Sequence, residues 1–252
     1  MRQRIVFACS GSGENLAAIP RLASAFDAEV VALTLDVGQP RELEGVRQAA
    51  LSAGAVRAHV LDAREEFARH CIASSLGERT PVAYAAGHVL ARPLIARKLI
   101  EIAHIEGAGA IAHGGNQDDQ AEIEAAAQAL DGSIRVIAAH AGTPLATGHG
   151  IRATLWDRCA DDGSTALSKH ELDAPAHLEI AFEGGLPESV NGVPMTLTEL
   201  VESVATIAKA PAAVVCRAAH EALGADASHA SGATVCLELF KGQHRVLSAH
   251  RS

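Results

Sequence analysis

The chain has 252 residues, of which 48% are hydrophobic but only 3% aromatic, so its core must be built from Ala, Val, Leu and Ile. Its net charge is −9, with 21 basic against 30 acidic residues, which argues against a nucleic-acid partner because phosphate neutralisation needs clustered Lys and Arg. The sequence contains no apolar stretch long enough for a membrane span, no signal-peptide pattern and five scattered cysteines, so we expect a cytoplasmic protein with reduced thiols.

The first half of the sequence alternates short apolar runs with helical patterns. Strands are predicted at Arg4–Cys9, Glu29–Leu35, Val56–Leu61, a run ending at His113, and Ile134–Ala138, and helices at Leu16–Phe26, Glu42–Ala53, Arg64–Ser74, Leu90–Glu106 and Gln117–Leu130. Repeated strand–helix units imply a parallel sheet with right-handed crossovers. Because such sheets bind ligands at the carboxyl ends of their strands, we expect Ser10, Asp36 and His113 to converge on one site.

The second half of the sequence has a different composition. Residues 142–173 are rich in Gly, Thr, Asp and His, which predicts long loops. A strand, two helices and a β-hairpin are predicted after them, at Leu178–Phe182, Leu197–Ala208, Pro211–Leu223, and Thr234–Phe240 with His244–Ser248. We therefore predict an α/β domain over residues 1–141 and a smaller α+β domain over residues 142–252.

The turn after the first strand has the composition of an anion site. Ser10-Gly11-Ser12-Gly13 connects an apolar strand directly to a helical pattern. In such a turn the backbone N–H groups point outward and the helix dipole favours a phosphate. The alternative is a tight strand-to-helix turn that holds no ligand, which is common.

Five longer stretches resemble one protein family. They are EVVALTLDVGQPRELEGVRQAALSAGA, AGHVLARPLIARKLIEIAHIEGAGAIAHGG, WDRCADDG, LEIAFEGGLPESVNG and GATVCLELFKGQHRV. On these residues the sequence resembles the argininosuccinate synthase family, which belongs to the N-type ATP pyrophosphatases (PP-loop proteins). The resemblance implies the parallel twisted sheet of the HUP-like type in residues 1–141, with nucleotide bound there, and a reduced, synthetase-like second domain.

The resemblance also implies a reaction and its cofactors. The expected activity is that of an ATP-dependent carbon–nitrogen ligase, which adenylates a ureido or carboxylate oxygen, joins it to an amine, and releases AMP and pyrophosphate, with Mg²⁺ as the metal. The cofactor-binding residues carried over from the family are Ala8, Ser10, Gly11, Ser12, Gly13, Glu14, Asn15, Leu35, Gln39 and Gly114. Glu14 replaces the family's Asp and is the implied metal ligand and catalytic residue. For Gln39 the alternative is a loop-closing hydrogen bond, and for Gly114 a turn at the end of a strand.

The implied substrate side departs from the family. Its residues are Tyr84, His88, Asp118, Asp119, Glu122 and Cys159, and Asp119 is also an implied catalytic residue. Glu122 stands where the family has Arg, and the family's Thr-Lys turn is missing. The repulsion between a substrate carboxylate and the acidic residues 118–124 would cost on the order of 1 kcal/mol or more. A cationic or neutral amine, or a metal ion, therefore suits this cluster better. The alternative is an ordinary acidic first turn of a helix.

Two functional hypotheses follow from these departures. The first is an adenylating ligase with altered, amino-acid-like substrates. The second is a non-catalytic relative that binds a nucleotide or a partner. Because the family's terminal helix, which ties a tetramer together, is not found before Ser252, we also expect a homodimer formed through Leu90–Glu106 or the 196–223 region.

Overall fold

The computed structural model describes residues 3–39, 42–73, 76, 87–114, 117–139, 154–157, 174–224, 232–240 and 243–251. These residues form two compact units. The first lies within Met1–Asp36, Arg41–Ala63 and Ala91–Arg152, and the second within Val37–Pro40, Arg64–Leu90 and Ala153–Ser252. The units therefore alternate along the chain. The single domain boundary between residues 141 and 142 stays a prediction.

The elements follow one another in the order that the sequence predicts for the first half of the chain. In chain order they are β1 (Gln3–Ala8), α1 (Gly13–Phe26), β2 (Ala28–Asp36), α2 (Leu43–Ser52), β3 (Arg57–Asp62), α3 (Arg64–Phe67) with a π-helical segment (Ala68–Ile72), α4 (Gly87–Leu90), α5 (Arg92–Glu106), β4 (Ala110–His113), α6 (Gln117–Leu130), β5 (Arg135–Ala138), β6 (Ala176–Glu183), β7 (Leu186–Val190), β8 (Val193–Pro194), α7 (Leu197–Ala208), α8 (Ala212–Ala222), β9 (Ala233–Phe240) and β10 (Gln243–Arg251). None of the helices in these described residues is long and apolar enough to cross a membrane.

The first unit is built on a five-stranded sheet with the order β3-β2-β1-β4-β5. All of its strand pairs are parallel, which confirms the predicted α/β class. The strand order reverses at β1, because β2 and β3 lie on one side of it and β4 and β5 on the other. This reversal is the topological switch point of the sheet.

Mostly small and aliphatic side chains make the core of this unit, as the composition requires. The buried residues of β1, β2 and α1 include Ile5, Phe7, Ala18, Ile19, Leu22, Val30 and Ala32. Burying each of the larger ones stabilises the fold by about 1.5–3 kcal/mol. The loop that follows β1 therefore leaves from two paired, buried strands, β1 and β2.

Helix α1 begins earlier than predicted. The Ser12 side chain accepts a hydrogen bond from the Asn15 N–H (3.3 Å) and caps the helix, which starts at Gly13 rather than at Leu16. At the other end Asp27 adopts φ +44°, and its N–H donates to the Ala23 carbonyl. The cap therefore adds a turn of helix directly after the loop.

The second unit is built on an antiparallel sheet with the order β10-β9-β6-β7-β8. The predicted hairpin is confirmed by the pairing of β9 with β10. The sequence analysis does not predict β7 and β8, which Asn191 (φ +50°) and Gly192 (φ +75°) connect. An Asn-Gly pair between apolar positions is a strong hairpin signal, so the sequence carries the signal for this turn.

The helices of the second unit differ from the prediction in two places, the segment after Arg64 and the unpredicted helix α4. Thr196 caps α7 through the Glu199 N–H, and the Glu199 carboxylate accepts from Thr196 in return, which is a complete capping box. The helix predicted at Arg64–Ser74 is only partly right, because four α-helical residues are followed by the π-helical segment. Ser74 lies outside the described residues.

Candidate functional site

The loops that leave β1 and β4 lie at the switch point of the parallel sheet. Strand β1 leads through α1 to β2, whereas β4 leads through α6 to β5 on the opposite side. Ser10 follows β1, and Gly114 follows β4. Ligands of open α/β sheets bind in the crevice at such a point, so the sheet brings these two predicted residues to the expected edge.

The start of the first loop is fixed to the neighbouring strand. The Cys9 N–H donates to the Leu33 carbonyl (2.8 Å), and the Thr34 hydroxyl donates to the Cys9 carbonyl (2.9 Å). Cys9 and Thr34 are both buried. The position from which the loop leaves the sheet is therefore set by main-chain and side-chain contacts within the protein.

Asn15 closes this loop from inside. Its Oδ1 accepts from both the backbone N–H (3.0 Å) and the hydroxyl (2.8 Å) of Ser10, and the residue is only 3% exposed. In this conformation the Ser10 donors point to Asn15 rather than outward. The binding roles predicted for Ser10 and Asn15 stay predictions, and the structure adds that Asn15 shapes the loop.

The two glycines of the loop differ in their surroundings. Gly11 has φ +73°, and a Cβ there would lie 2.7 Å from both methyl groups of Val46 on α2. Gly13 is exposed, and no atom lies within 4 Å of the position of its Cβ. The loop is thus closed against α2 on one side and open on the side of the α1 N-terminus, where the helix dipole favours an anion.

The metal chemistry available to the described residues is limited. They contain no group of three or more His, Cys, Asp or Glu side chains that could hold a metal ion. Glu14 lies in the first turn of α1 as a single carboxylate. Magnesium commonly takes one or two protein carboxylates and completes its shell with phosphates and waters, so Glu14 fits a phosphate-bound ion rather than a protein cage.

Two more of the predicted nucleotide residues lie in β2 and in the loop that follows it. Leu35 is 6% exposed, and the Asp36 carbonyl accepts from the Ala63 N–H (2.8 Å). The Gln39 side chain accepts from the Val37 N–H (2.8 Å), which is the loop-closing alternative considered for it. A nucleotide role for Leu35 and Gln39 stays a prediction.

Glu122 has a partner that the sequence analysis does not foresee. Arg92, in the first turn of α5, has a side chain that is only 9% exposed, and its Nη1 lies 2.8 Å from Glu122 Oε2. The Glu122 side chain is 54% exposed. The guanidinium neutralises part of the carboxylate's charge, so the repulsion expected from Glu122 is weaker than the sequence alone suggests.

Other predicted substrate residues are only partly described. Tyr84 and Cys159 lie outside the described residues. His88 belongs to α4, and Asp118 and Asp119 to α6, but their side chains are not among those described. Their roles stay predictions.

Asp157 is a residue that the sequence analysis missed. The Gly87 N–H donates to both of its carboxylate oxygens (2.9 Å each), and the Thr154 hydroxyl donates to Oδ2 (3.0 Å). A Cβ on Gly87 would collide with the Thr154 hydroxyl and with Asp157. The signal was present in the sequence, because Asp157 lies in WDRCADDG, one of the stretches that resemble the family.

The segment that carries Asp157 is held by two further contacts. The Leu155 N–H donates to the Val37 carbonyl (2.9 Å), and the Ala213 N–H donates to the Trp156 carbonyl (3.1 Å). Gly38 has φ +82°, and a Cβ there would lie 2.5 Å from the Leu155 Cβ. The Asp-Val-Gly-Gln turn therefore supports residues 154–157, for which glycine at position 38 is required.

A charge cluster lies at the amino ends of the parallel strands, away from the switch point. The Glu106 side chain is 1% exposed; Arg4 and Arg57 donate to it at 3.3 and 3.1 Å, and His59 Nε2 lies 2.8 Å from its Oε1. Arg4 also pairs with Glu29 at 3.0 Å. Burial raises the pKa of Glu106, but hydrogen bonds with His59 and Arg57 outweigh burial and lower it. This cluster stabilises the unit rather than the candidate site.

The first unit has the architecture of an α/β nucleotide-binding domain, with a glycine-containing loop and a helix N-terminus at its switch point. A family model described as the arginosuccinate synthase N-terminal HUP domain matches residues 4–150. The chain therefore belongs to the argininosuccinate synthase family, as the resemblance implies.

Individual proteins support the same family. An argininosuccinate synthase of Streptococcus suis is 31% identical over 246 residues, covering 82% of this chain and 62% of that protein. One of Oleidesulfovibrio alaskensis is 46% identical over 143 residues, covering 54% of this chain and 35% of that protein. The chain thus spans less than two thirds of the length of these relatives. A crystal structure of NAD+ synthetase from Burkholderia pseudomallei aligns with 44% of each chain at 21% identity and a TM-score of 0.31, which adds nothing to the assignment.

Proposed function

We propose that this protein is an ATP-dependent carbon–nitrogen ligase that adenylates an oxygen acceptor, ureido or carboxylate, and joins it to an amine, releasing AMP and pyrophosphate. The observation that carries the proposal is the loop Ser10–Asn15 at the β1/β4 switch point. Gly11 keeps this loop close to α2, and Gly13 leaves its outer side open. Family membership and relatives named argininosuccinate synthase support the same chemistry.

The loop residues fit a nucleotide triphosphate. The phosphates would lie along residues 10–14 at the N-terminus of the 14-residue helix α1, and Glu14 would hold the magnesium ion. ATP supplies the activated adenylyl group, and the metal balances the charge of the departing pyrophosphate. Leu35 and Gly114, both in the first unit, would contact the nucleoside.

The substrates are proposed to differ from citrulline and aspartate. Glu122 occupies the place of a family arginine, and Arg92 is already engaged with it. A small amino-acid-like compound with a neutral or cationic end fits this environment better than a second carboxylate. The family's own substrates would need an anion site that Glu122 opposes.

Assembly and location are also proposals. We infer a cytoplasmic homodimer. The apolar stripe of α5 is buried within its own unit, where Leu94, Leu99 and Ile102 are at most 5% exposed, so the 196–223 helices are the better contact surface. Val214 there is 39% exposed.

A non-catalytic, nucleotide-binding or partner-binding relative is the second candidate. It is favoured by the inward direction of both Ser10 donors. Such a loop binds phosphates more weakly, because two donors are already used inside the protein.

The two candidates are separated by measuring binding and chemistry on the same protein. Calorimetry with Mg-ATP at millimolar concentration tests binding, and ATP–pyrophosphate exchange with a panel of ureido and carboxylate compounds tests adenylation. Binding with exchange supports the ligase, and binding without exchange supports the second candidate. Absence of any binding overturns the ligase and the nucleotide-binding form of the second candidate. Gly11→Ala should abolish the Mg-ATP binding signal, because its Cβ would collide with Val46 and distort the loop. Gly109→Ala is the matched control and should leave binding unchanged, because its Cβ would meet only Gln3 at 3.9 Å.

A further inference from the structure

The antiparallel sheet of the second unit ends in a long, exposed edge strand. Strand β10 has nine residues, and among the residues that the structure describes it pairs only with β9. Every residue of β10 except Ser248 is exposed. The main-chain N–H and C=O groups on the outer side of an edge strand are a template for a further strand. The sheet can therefore be extended at β10 by another extended chain.

One face of β10 continues the apolar core of the sheet. Residues that lie opposite each other on antiparallel strands share a face. Val246 lies opposite Leu237, and Ala249 lies opposite Val235. Leu237 and Val235 are both 0% exposed, whereas Val246 is 38% exposed. The apolar face that is buried along β9 is thus left open at β10.

The other face of β10 is basic. It carries Arg245, opposite Glu238, and His250, opposite Thr234. Glu238 lies near His177 (3.9 Å), and in the described part of the chain neither Arg245 nor His250 has an ion-pair partner. Strand β10 contains no Asp or Glu, although the whole chain has a net charge of −9. A strip of positive charge therefore lies at one edge of an acidic protein.

A second copy of β10 is a poor partner for this edge. All the charged side chains of two paired β10 strands would be basic, and like charges on neighbouring strands destabilise the pair. The register shift between Val246 and Ser248 also bends the edge, which hinders pairing of two identical strands. These features favour a strand that brings carboxylates.

We propose that β10 is a docking edge for an extended segment of another protein in which acidic and apolar side chains alternate. The acidic side chains pair with Arg245 and His250 on one face. The apolar side chains cover Val246 and Ala249 on the other face, and main-chain hydrogen bonds add the segment to the sheet. The alternation matters because successive side chains of a strand point to opposite faces.

The docking edge is tested by fluorescence anisotropy on the full chain with a labelled peptide in which Glu and Val alternate over the length of β10. Wild type should bind this peptide saturably, and the affinity should fall as salt is added. Three peptides serve as controls. The first has the same composition, but all of its Glu residues precede its Val residues; the second has Lys in place of Glu; the third is N-methylated at every central residue and cannot donate main-chain hydrogen bonds. All three should bind much more weakly than the alternating peptide.

Variants of Arg245 test the position of the peptide. Arg245→Gln should weaken binding of the alternating peptide by about two- to fivefold, which is the worth of one cross-strand charge pair. Arg245→Glu should shift the preference toward the Lys peptide. Arg47→Gln is the matched control, because it removes the charge of another surface arginine, 43% exposed and paired with Glu44, and it should leave binding unchanged. Hydrogen exchange of residues 243–251 should slow when the peptide is bound.

Each result counts for or against the docking edge. Tight binding of the alternating peptide alone, weakened by Arg245→Gln and accompanied by protection of residues 243–251, supports it. Absence of binding at millimolar peptide overturns it. Equal binding of the block peptide, or equal weakening by Arg47→Gln, also overturns it, because the attraction is then to negative charge of any kind. Protection of residues 243–251 that rises with protein concentration in the absence of peptide identifies a second copy as the occupant and overturns the proposal. If Arg245→Glu does not fold beside Glu238, Arg245→Gln and the three control peptides decide.

Discussion

Replacing Glu106 by glutamine is expected to destabilise the first unit by about 2 kcal/mol. Glutamine keeps the size of the side chain, but it removes the charge that Arg4, Arg57 and His59 surround and turns an amide donor toward them. Breaking a buried ion pair costs about 3–5 kcal/mol. Here the Arg57 and His59 side chains are 59% and 31% exposed, so water screens part of the interaction, and Arg4 keeps its contact with Glu29.

The effect of this substitution should depend on pH. Because the pKa of Glu106 is lowered in the folded state, its stabilisation is complete above the pKa of an unfolded glutamate, about 4.3, and is lost as the pH falls through the folded value. The difference between wild type and Glu106→Gln should therefore narrow below about pH 4.3.

Urea unfolding followed by circular dichroism at pH 7 and at stepwise lower pH measures both effects. Glu101→Gln is the control on the same helix, since Glu101 is 46% exposed and pairs with Lys98 at 2.8 Å, and it should cost less than about 0.5 kcal/mol. Equal costs for the two variants at pH 7 would refute the reasoning. So would a difference between wild type and Glu106→Gln that widens toward acid pH.

Four further outcomes are expected. Gly38→Ala should lower the melting temperature by at least roughly 4 °C, because Gly38 has φ +82° and its Cβ would lie 2.5 Å from the Leu155 Cβ. Gly13→Ala should change the melting temperature little, and equal shifts in the two variants contradict the prediction. Burial raises the pKa of the Cys216 thiol to about 12, so iodoacetamide at pH 8 should alkylate the half-buried Cys236 and spare Cys216. Peptide mass spectrometry measures the labelling, and equal labelling of both cysteines in the native protein counts against the burial of Cys216. Citrulline, aspartate and Mg-ATP should yield no argininosuccinate; product at a rate near that of a family enzyme assayed in parallel refutes the altered substrates. Light scattering at micromolar concentration should give a dimer, and a strict monomer removes the proposed interface.

Much of the fold is predictable from local pattern. The apolar runs at Arg4–Cys9 and Glu29–Leu35 become β1 and β2 because β-branched side chains buried on both faces suit a parallel sheet. The strand order is not predictable in this way, since each run would pair equally well with several others. The switch point between β1 and β4 therefore emerges only from the three-dimensional structure.

The candidate site shows the same limit at the level of side chains. The loop composition predicts an anion site, but the inward hydrogen bonds of Ser10 depend on how Asn15 is placed by the first turn of α1. Glu122 is expected to repel anions because its neighbours in sequence are acidic, whereas its actual partner, Arg92, lies 30 positions away. An ion pair between two different helices cannot be predicted from the order of residues along the chain, because it depends on how the helices pack.

The alternation of the two units along the chain has a consequence for biosynthesis. Residues 64–90 belong to the second unit, where Glu65 accepts a hydrogen bond from Thr198 (2.7 Å), and Phe67 and Ile72 are fully buried. During translation these apolar side chains leave the ribosome more than a hundred residues before α7 and α8 are complete. At 5–20 residues per second, that interval is on the order of ten seconds. Chaperones should therefore bind nascent chains of this protein at this segment. A fragment that ends near residue 150 lacks α7 and α8, so the same apolar side chains should stay exposed in it and keep binding chaperones.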